Sequence, residues 1–226
     1  MSTILNTIRE RFSANRDKAS NINKITIEKN TVLNAISQRR THYAISKNSP
    51  IPEEKVTEII KTAVKYVPTA FNSQTHRAIV LFGNENQKLW DITKDELRKI
   101  VPAENFSSTE EKINGFQNSF GTVLYFEENS IVKGLAEQFP SYAHNFPIWS
   151  EQSNGMLQSA IWNALAEEGL GASLQHYNEV IADEVNKAWD IPGTWRLVAQ
   201  MPFGTPVAEP GEKAYPDAEA FVKIYQ

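Results

Sequence analysis

Cysteine is absent from the 226-residue chain, which excludes disulfides, thiol catalysis, Cys-ligated zinc and iron–sulfur clusters together. Redox chemistry, if the protein performs any, needs a borrowed cofactor. An excess of positive charge is also missing. The 23 Lys and Arg stand against 27 Asp and Glu, a formal charge of -4, so no nucleic-acid partner is expected. No apolar run approaches the roughly 18 residues of a membrane span, and the N-terminus lacks the continuous apolar stretch of a secretory signal. The expectation is a soluble, cytoplasmic protein without a membrane partner. Glycine and proline are modest, at 10 and 11 residues, and nothing is repetitive, which excludes collagen-like and wholly disordered chains. At 41% hydrophobic and 22% charged, the chain suits one globular domain with a sizeable core.

Familiar catalytic signatures are missing as well. There is no G-x-G-x-x-G, no G-x-x-x-x-G-K-[ST], no G-x-S-x-G and no H-E-x-x-H. His42, His76, His144 and His176 form no i, i+4 pair, so no metal site is expected. The acidic pairs Glu110-Glu111 and Glu127-Glu128 read as solvated surface.

What is present alternates between helical and strand patterns. Residues 1–26 carry little to bury after Phe12 and read as a loosely held N-terminal extension to a domain spanning 27–226. Helical spacing predicts helices over 28–39, 52–67, 89–100, from Met156 to a stop at Gly169, and from an N-cap at Asn178 to Trp189. The helix carrying Met156, Leu157, Ala160, Ile161, Ala164 and Leu165 is expected to be the central, most buried one. Strands are predicted at 78–82, 122–126 and 195–201, with an edge strand at 221–225. The segment 127–149 reads as irregular, its Phe139, Tyr142, Phe146 and Trp149 either packed inward or forming a lid. The pattern is α+β, a sheet flanked by helices.

Three segments stand out chemically. Arg39-Arg40-Thr41 places two guanidinium forks and a hydroxyl at a helix end, which suits a phosphate and equally suits a solvated terminus offsetting the helix dipole. Pro68-Thr69-Ala70-Phe71-Asn72-Ser73-Gln74 lies between a buried helix and a strand. Its Asn72 and Gln74 each offer a donor and an acceptor, matching the rim of a flavin pyrimidine or simply capping turns. Gly169-Leu170-Gly171-Ala172-Ser173 leads into Leu174-Gln175-His176-Tyr177, where small residues admit a planar ligand or merely end a helix.

Taken in order, these segments resemble the nitroreductase family of FMN-dependent oxidoreductases. Phe71-Asn72-Ser73-Gln74-Thr75, Asn154-Gly155-Met156-Leu157-Gln158, Leu174-Gln175-His176-Tyr177-Asn178 and Pro210-Gly211-Glu212-Lys213 are similar to its branch named after a fatty-acid-repression mutant. The resemblance runs from about Val32 to Tyr225. It implies a central, mostly antiparallel sheet flanked by helices, and a homodimer with exchanged C-terminal strands and two FMN molecules at the subunit interface. Arg39, Arg40, Thr41 and Lys213 would then meet the phosphate and ribityl chain, and Asn72 and Gln74 the ring. His176, preceded by Gln175, falls where the family presents a backbone N–H to flavin N5. The chain departs from the family in having Thr75-His76 where Pro-Trp is common, and a lone Lys213 where a cationic pair is usual.

The resemblance implies an NAD(P)H-dependent, ping-pong reduction of quinones or nitroaromatic compounds, with the flavin carrying the chemistry and no side chain needed as acid or base. A flavin-binding regulatory or sensing protein with little turnover, linked to lipid or stress signalling, is the second expectation. A cofactor-free interaction domain is the third.

Overall fold

The computed structural model describes residues 31–226, so the expectation for residues 1–26 lies outside the described part. Helix α1 spans Thr31–Gln38, followed by the two-residue strand β1, Ile45–Ser46. Helix α2, Glu53–Tyr66, starts directly after Pro52, whose extended backbone makes it the cap rather than the first helical residue. A 3-10 turn, Ala70–Asn72, leads into β2, His76–Phe82. Helices α3, Gly83–Arg98, and α4, Phe106–Gln117, precede β3, Gly121–Glu128. Then come α5, Asn129–Gln138, and the long α6, Phe146–Glu167. The chain closes with β4, Gly171–Ala172, α7, Asn178–Ala188, and β5, Trp195–Pro206.

All strand pairings are antiparallel. The sheet order is β1-β5-β3-β2, with β4 also bonded to β5. Central β3 is buried at every residue, and its two-residue period divides the core. Val123 and Tyr125 pack with Leu157, Ile161 and Leu165 of α6 and Val56 and Ile60 of α2. Leu124 and Phe126 face the other way, onto Leu89 and Trp90 of α3, Phe116 of α4 and Ile181 and Val185 of α7. Each fully buried Leu or Ile contributes about 1.5–3 kcal/mol to that sandwich. Helix α6 has seven buried residues, the expected central element. It ends in a Schellman motif: Gly169 takes φ 81°, its N–H bonds the Ala166 carbonyl at 3.0 Å, and Leu170 N–H bonds the Leu165 carbonyl at 3.0 Å.

Five expectations need correction. Helix α3 begins at Gly83, not Leu89, because the Gly83-Asn84 pair opens the helix directly from β2. The 127–149 segment is mostly helical, being taken up by the end of β3, α5, a 3-10 turn and the start of α6. Strand β5 continues past Met201 to Pro206, because β1 and β4 both pair with its far end. Asn178 is the first residue of α7 rather than its cap. Its amide is committed to β5, donating to the Val198 carbonyl at 2.6 Å and accepting from Gln200 at 2.7 Å. Residues 221–225 form no strand, since they pair with no strand of their own chain; Ile224 and Tyr225 stand 77% and 88% exposed.

Candidate functional site

The residues after α1 turn back toward β4. Thr41 forms a parallel bridge with Ala172, and His42 N–H donates to the Ala172 carbonyl at 2.9 Å. This approach requires glycine at 171, where a Cβ would stand 2.8 Å from both the His42 Cβ and the Pro206 Cγ. From the end of β5, Val207 N–H bonds the Ala44 carbonyl at 3.0 Å, and the tail then crosses in front of Arg39–His42. A cavity of about 410 Å³ opens between the two segments, with Arg39, Arg40, Thr41 and His42 on one side and Gly211 and Lys213 on the other. The carboxylates Glu209 and Glu212 also lie on its wall.

Arg40 Nη2 donates to the Gly211 carbonyl, tying the tail to the cavity. Arg39 lies over the Trp162 ring, and its Nη1 is buried without a hydrogen-bond partner, as is Nδ1 of His42. An unpaired buried guanidinium nitrogen is costly in a single chain, and a bound anion is the group that would relieve it. Four of the expected site residues, Arg39, Arg40, Thr41 and Lys213, thus meet in one place. His42 and Trp162 were missed. His42 was legible only as the next residue along, and Trp162 had no signal apart from its place on α6.

Gln175 and His176 follow β4. Gln175 exchanges backbone hydrogen bonds with Gln200 at 2.7 and 2.9 Å, and its buried side chain donates to Ser173 Oγ at 3.1 Å. The next-but-one amide, Tyr177 N–H, bonds Gln200 Oε1 at 2.8 Å. His176 N–H, between them, has no partner, and its residue is exposed. The backbone therefore offers one free donor at His176, while the Gln175 side chain serves the core.

Asn72 and Gln74 sit elsewhere. Their loop precedes β2, on the opposite edge of the sheet from β1 and β4, with β3 and β5 between. Phe71, Asn72 and Gln74 adopt φ values of 58°, 51° and 48°, a left-handed cluster that L side chains resist. Gln74 N–H donates to Thr69 Oγ1 at 3.0 Å, and Gln74 Nε2 to Asn72 Oδ1 at 3.0 Å, so the two exposed side chains retain a free amide donor and a free acceptor side by side. Phe71 packs 5.3 Å from both Phe139 and Phe146 and stacks on Trp149 at 5.8 Å, which fixes the aromatics of 139–149 onto this loop.

At the base of the loop lies Glu127, fully buried, and beside it Glu128, 8% exposed; the solvated reading of this pair is wrong because both end the central strand. Asn154 Nδ2 donates to Glu127 Oε1 at 2.7 Å. Burial pushes the Glu127 carboxyl above its ordinary range, against the opposing pull of Thr75, Asn154 and Arg196. Burial acts in the same sense on Glu128, but hydrogen bonds from Ser130, Thr194 and Trp195 outweigh it and hold that carboxyl below its ordinary range.

A model of the nitroreductase family matches residues 36–205. The chain belongs to the nitroreductase family. It is 36% identical over 187 residues to "Putative nitroreductase HBN1" of Saccharomyces cerevisiae, covering 82% of this chain and 93% of that protein. Nitroreductase FRM2 of the same yeast is 31% identical over 185 residues, covering 81% and 92%, which places the chain in the fatty-acid-repression-mutant-like branch. Among solved structures, nitroreductase CinD from Lactococcus lactis, in complex with chloramphenicol and again with 4-nitrophenol, superposes with a TM-score of 0.79 at 44% identity over 86% of this chain and all of that one. A "putative nitroreductase in complex with fmn" from Desulfovibrio desulfuricans shares the fold, with a TM-score of 0.62 at 18% identity over 87% and 98% of the two chains. This nitroreductase-family chain is thus an oxidoreductase with the family's antiparallel, helix-flanked sheet. Among the described residues, no helix is long and apolar enough to cross a membrane.

Proposed function

We propose that the protein is an FMN-dependent oxidoreductase, working as a homodimer, that takes hydride from NADH or NADPH and reduces nitroaromatic compounds or quinones in a ping-pong cycle. The observation that carries this reading is the buried, unpaired Arg39 nitrogen beside Arg40 and Lys213. Such a cavity fits a phosphate monoester: two forked cations and a hydroxyl converge on it, and a neutral ligand would leave Arg39 uncompensated. The FMN complex of the Desulfovibrio protein and the nitroaromatic complexes of CinD support the same reading.

When bound, FMN supplies the two-electron carrier chemistry. Arg39, Arg40 and Lys213 hold its phosphate, and Thr41 offers a hydroxyl to the neighbouring oxygens. The free His176 N–H donates to the ring edge, and the rigid Gln175–Gln200 pairing holds that donor in place. Because Asn72 and Gln74 lie across the sheet from this cavity, they serve the ring bound by the second subunit. Each site is then built from two chains. Two apolar grooves of about 530 and 500 Å³ flank Ala160 and Ala164 on the outer face of α6 and suit a twofold contact with a second copy.

The test is an absorbance spectrum of the purified protein followed by anaerobic addition of NADH or NADPH. Flavin bands that bleach and then recover on adding 4-nitrophenol or a quinone are expected. Bands that resist bleaching would favour a regulatory flavoprotein, and their absence would refute FMN binding.

A further inference from the structure

The loop that carries Asn72 and Gln74 holds three left-handed residues, and such strain persists only where the surroundings over-determine it. The loop is fixed from below. Glu128 N–H donates to the Thr75 carbonyl at 2.8 Å, Arg77 Nη1 donates to the Gln74 carbonyl at 2.7 Å, and His76 pairs across the ladder with Glu127. His76 Nε2 lies 3.1 Å from the Val64 carbonyl at the end of α2, so the residue joins both flanks of the loop. The Glu127 side chain completes this base. It is bound at one oxygen by Asn154, which also donates to the Phe126 carbonyl at 3.1 Å and accepts from Gln158 at 2.7 Å.

The other half of the Glu127 carboxyl is unusual. Oε2 is buried without a hydrogen-bond partner, and so is Nδ1 of the neighbouring His76, while the Thr75 hydroxyl lies beside the carboxyl without closing a well-aligned bond. We propose that Glu127 is a positioning residue: together with Asn154 it anchors Thr75 and His76, and through them sets the conformation in which the loop presents Asn72 and Gln74. This deepens the flavin reading above and rests on it for the role of those two amides.

Burial favours the uncharged form of the anchor. A carboxylic O–H at Oε2 supplies a donor beside the unpartnered His76 Nδ1, whereas a carboxylate keeps only Asn154 and the Thr75 hydroxyl as donors and leaves His76 Nδ1 unserved. The charged groups bearing on it are Glu151 of α6, which disfavours ionisation, and Arg196 of β5, which favours it; His76 faces it from β2. Arg196 and Glu151 are bonded to each other, which leaves the arginine only partly available to Glu127.

The experiment compares the full-length wild type with Glu127→Gln and Glu127→Leu. Hydrogen exchange of residues 69–76 is followed from about pH 5 to about pH 9 in FMN-free protein, and FMN affinity is measured by flavin fluorescence. Glu127→Gln keeps a donor and an acceptor in the same volume, so its protection factors, corrected for the intrinsic base-catalysed rate, should match the wild type at the acid end and escape the loss of protection that the wild type shows as pH rises. Glu127→Leu should exchange at least about tenfold faster in this segment at all pH values, with core strands still protected, and should weaken FMN binding about tenfold. Equal protection of the loop in all three proteins would overturn the proposal, as would a Glu127→Gln protein as loose as Glu127→Leu. Failure of the wild type to bind FMN would refute the flavin reading and leave the exchange result to decide the anchor.

Discussion

The guanidinium carbon of Arg39 lies 4.4 Å from the centroid of the Trp162 ring, so the cation that follows α1 is held over an aromatic of the central helix. Arginine can lie there and still point a fork at an anion, and lysine cannot do both. Arg40 differs. It is tied to the tail through the Gly211 carbonyl and faces the same cavity from its more open side.

Arg40→Ala should therefore weaken FMN retention more than it weakens folding. Removing one charge-assisted phosphate contact costs about 1.5–3 kcal/mol, or about tenfold to a hundredfold in affinity. Arg39→Lys should show a comparable loss of flavin despite keeping the charge. Equilibrium dialysis against FMN, with a thermal melt of the flavin-free protein as control, measures both. Full flavin content in Arg40→Ala would remove the phosphate assignment.

Asn72→Ala should lower flavin reactivity while leaving the sheet intact, because the side chain is exposed and its one intramolecular bond is to Gln74. Leu124→Ala is the control, since that residue is fully buried at the centre of β3 and its truncation costs about 2–5 kcal/mol. Ile79 is only partly buried on outer strand β2 and would be a weaker contrast. Similar losses of melting temperature in Asn72→Ala and Leu124→Ala would make Asn72 a structural residue.

These cases show what the sequence could and could not reveal. Strand β3 was legible because Thr122 to Phe126 are β-branched, apolar or aromatic without interruption, as a strand covered on both faces must be. The segment 221–225 has an equally good alternation, but a strand also needs a pairing partner, and within its own chain this segment has none. Arg39-Arg40-Thr41 suggested a phosphate by residue type, and Lys213 joined them only through the family resemblance. Their meeting depends on β5 carrying the tail past Ala44, which no local pattern encodes. Glu127 was misread because an acidic pair is ordinarily solvated, and only the sheet order shows that this one ends the innermost strand.

The buried Glu127 carboxyl also makes stability depend on pH with a definite sign. Its folded pKa is raised from 4.5, chiefly by burial, so above that value the folded chain holds a proton that the unfolded chain has released. The stabilisation is fully present below the unfolded pKa and is lost as pH rises through the folded one. Glu127→Gln cannot ionise and should escape this loss. Its melting temperature relative to the wild type should therefore climb as pH rises through the interval above 4.5. A difference that stays constant, or falls, over that interval would mean that Glu127 is already ionised in the native protein.

The tail supplies the last test, because its apolar side chains are left uncovered by the described residues. Tyr215, Phe221, Val222, Ile224 and Tyr225 are all between 59% and 88% exposed, while none of the described residues fills the α6 grooves beside Ala160 and Ala164. Joining the tail of one subunit to the surface of another removes both liabilities, and a stable dimer needs roughly 1,200–2,000 Å² of such burial. Deleting residues 208–226 is the informative cut. It leaves β5, which ends at Pro206, and the Val207 bond to Ala44 intact, yet removes Lys213 and the Gly211 carbonyl that Arg40 grips. The truncated protein should keep its sheet by circular dichroism, shift toward monomer by light scattering, and lose FMN in the same concentration range, because a site built from two chains dissociates with them. A full-length protein that is monomeric at micromolar concentration with FMN bound would contradict the two-chain site, since Asn72 and Gln74 would then be too far across the sheet to reach the flavin held at Arg39.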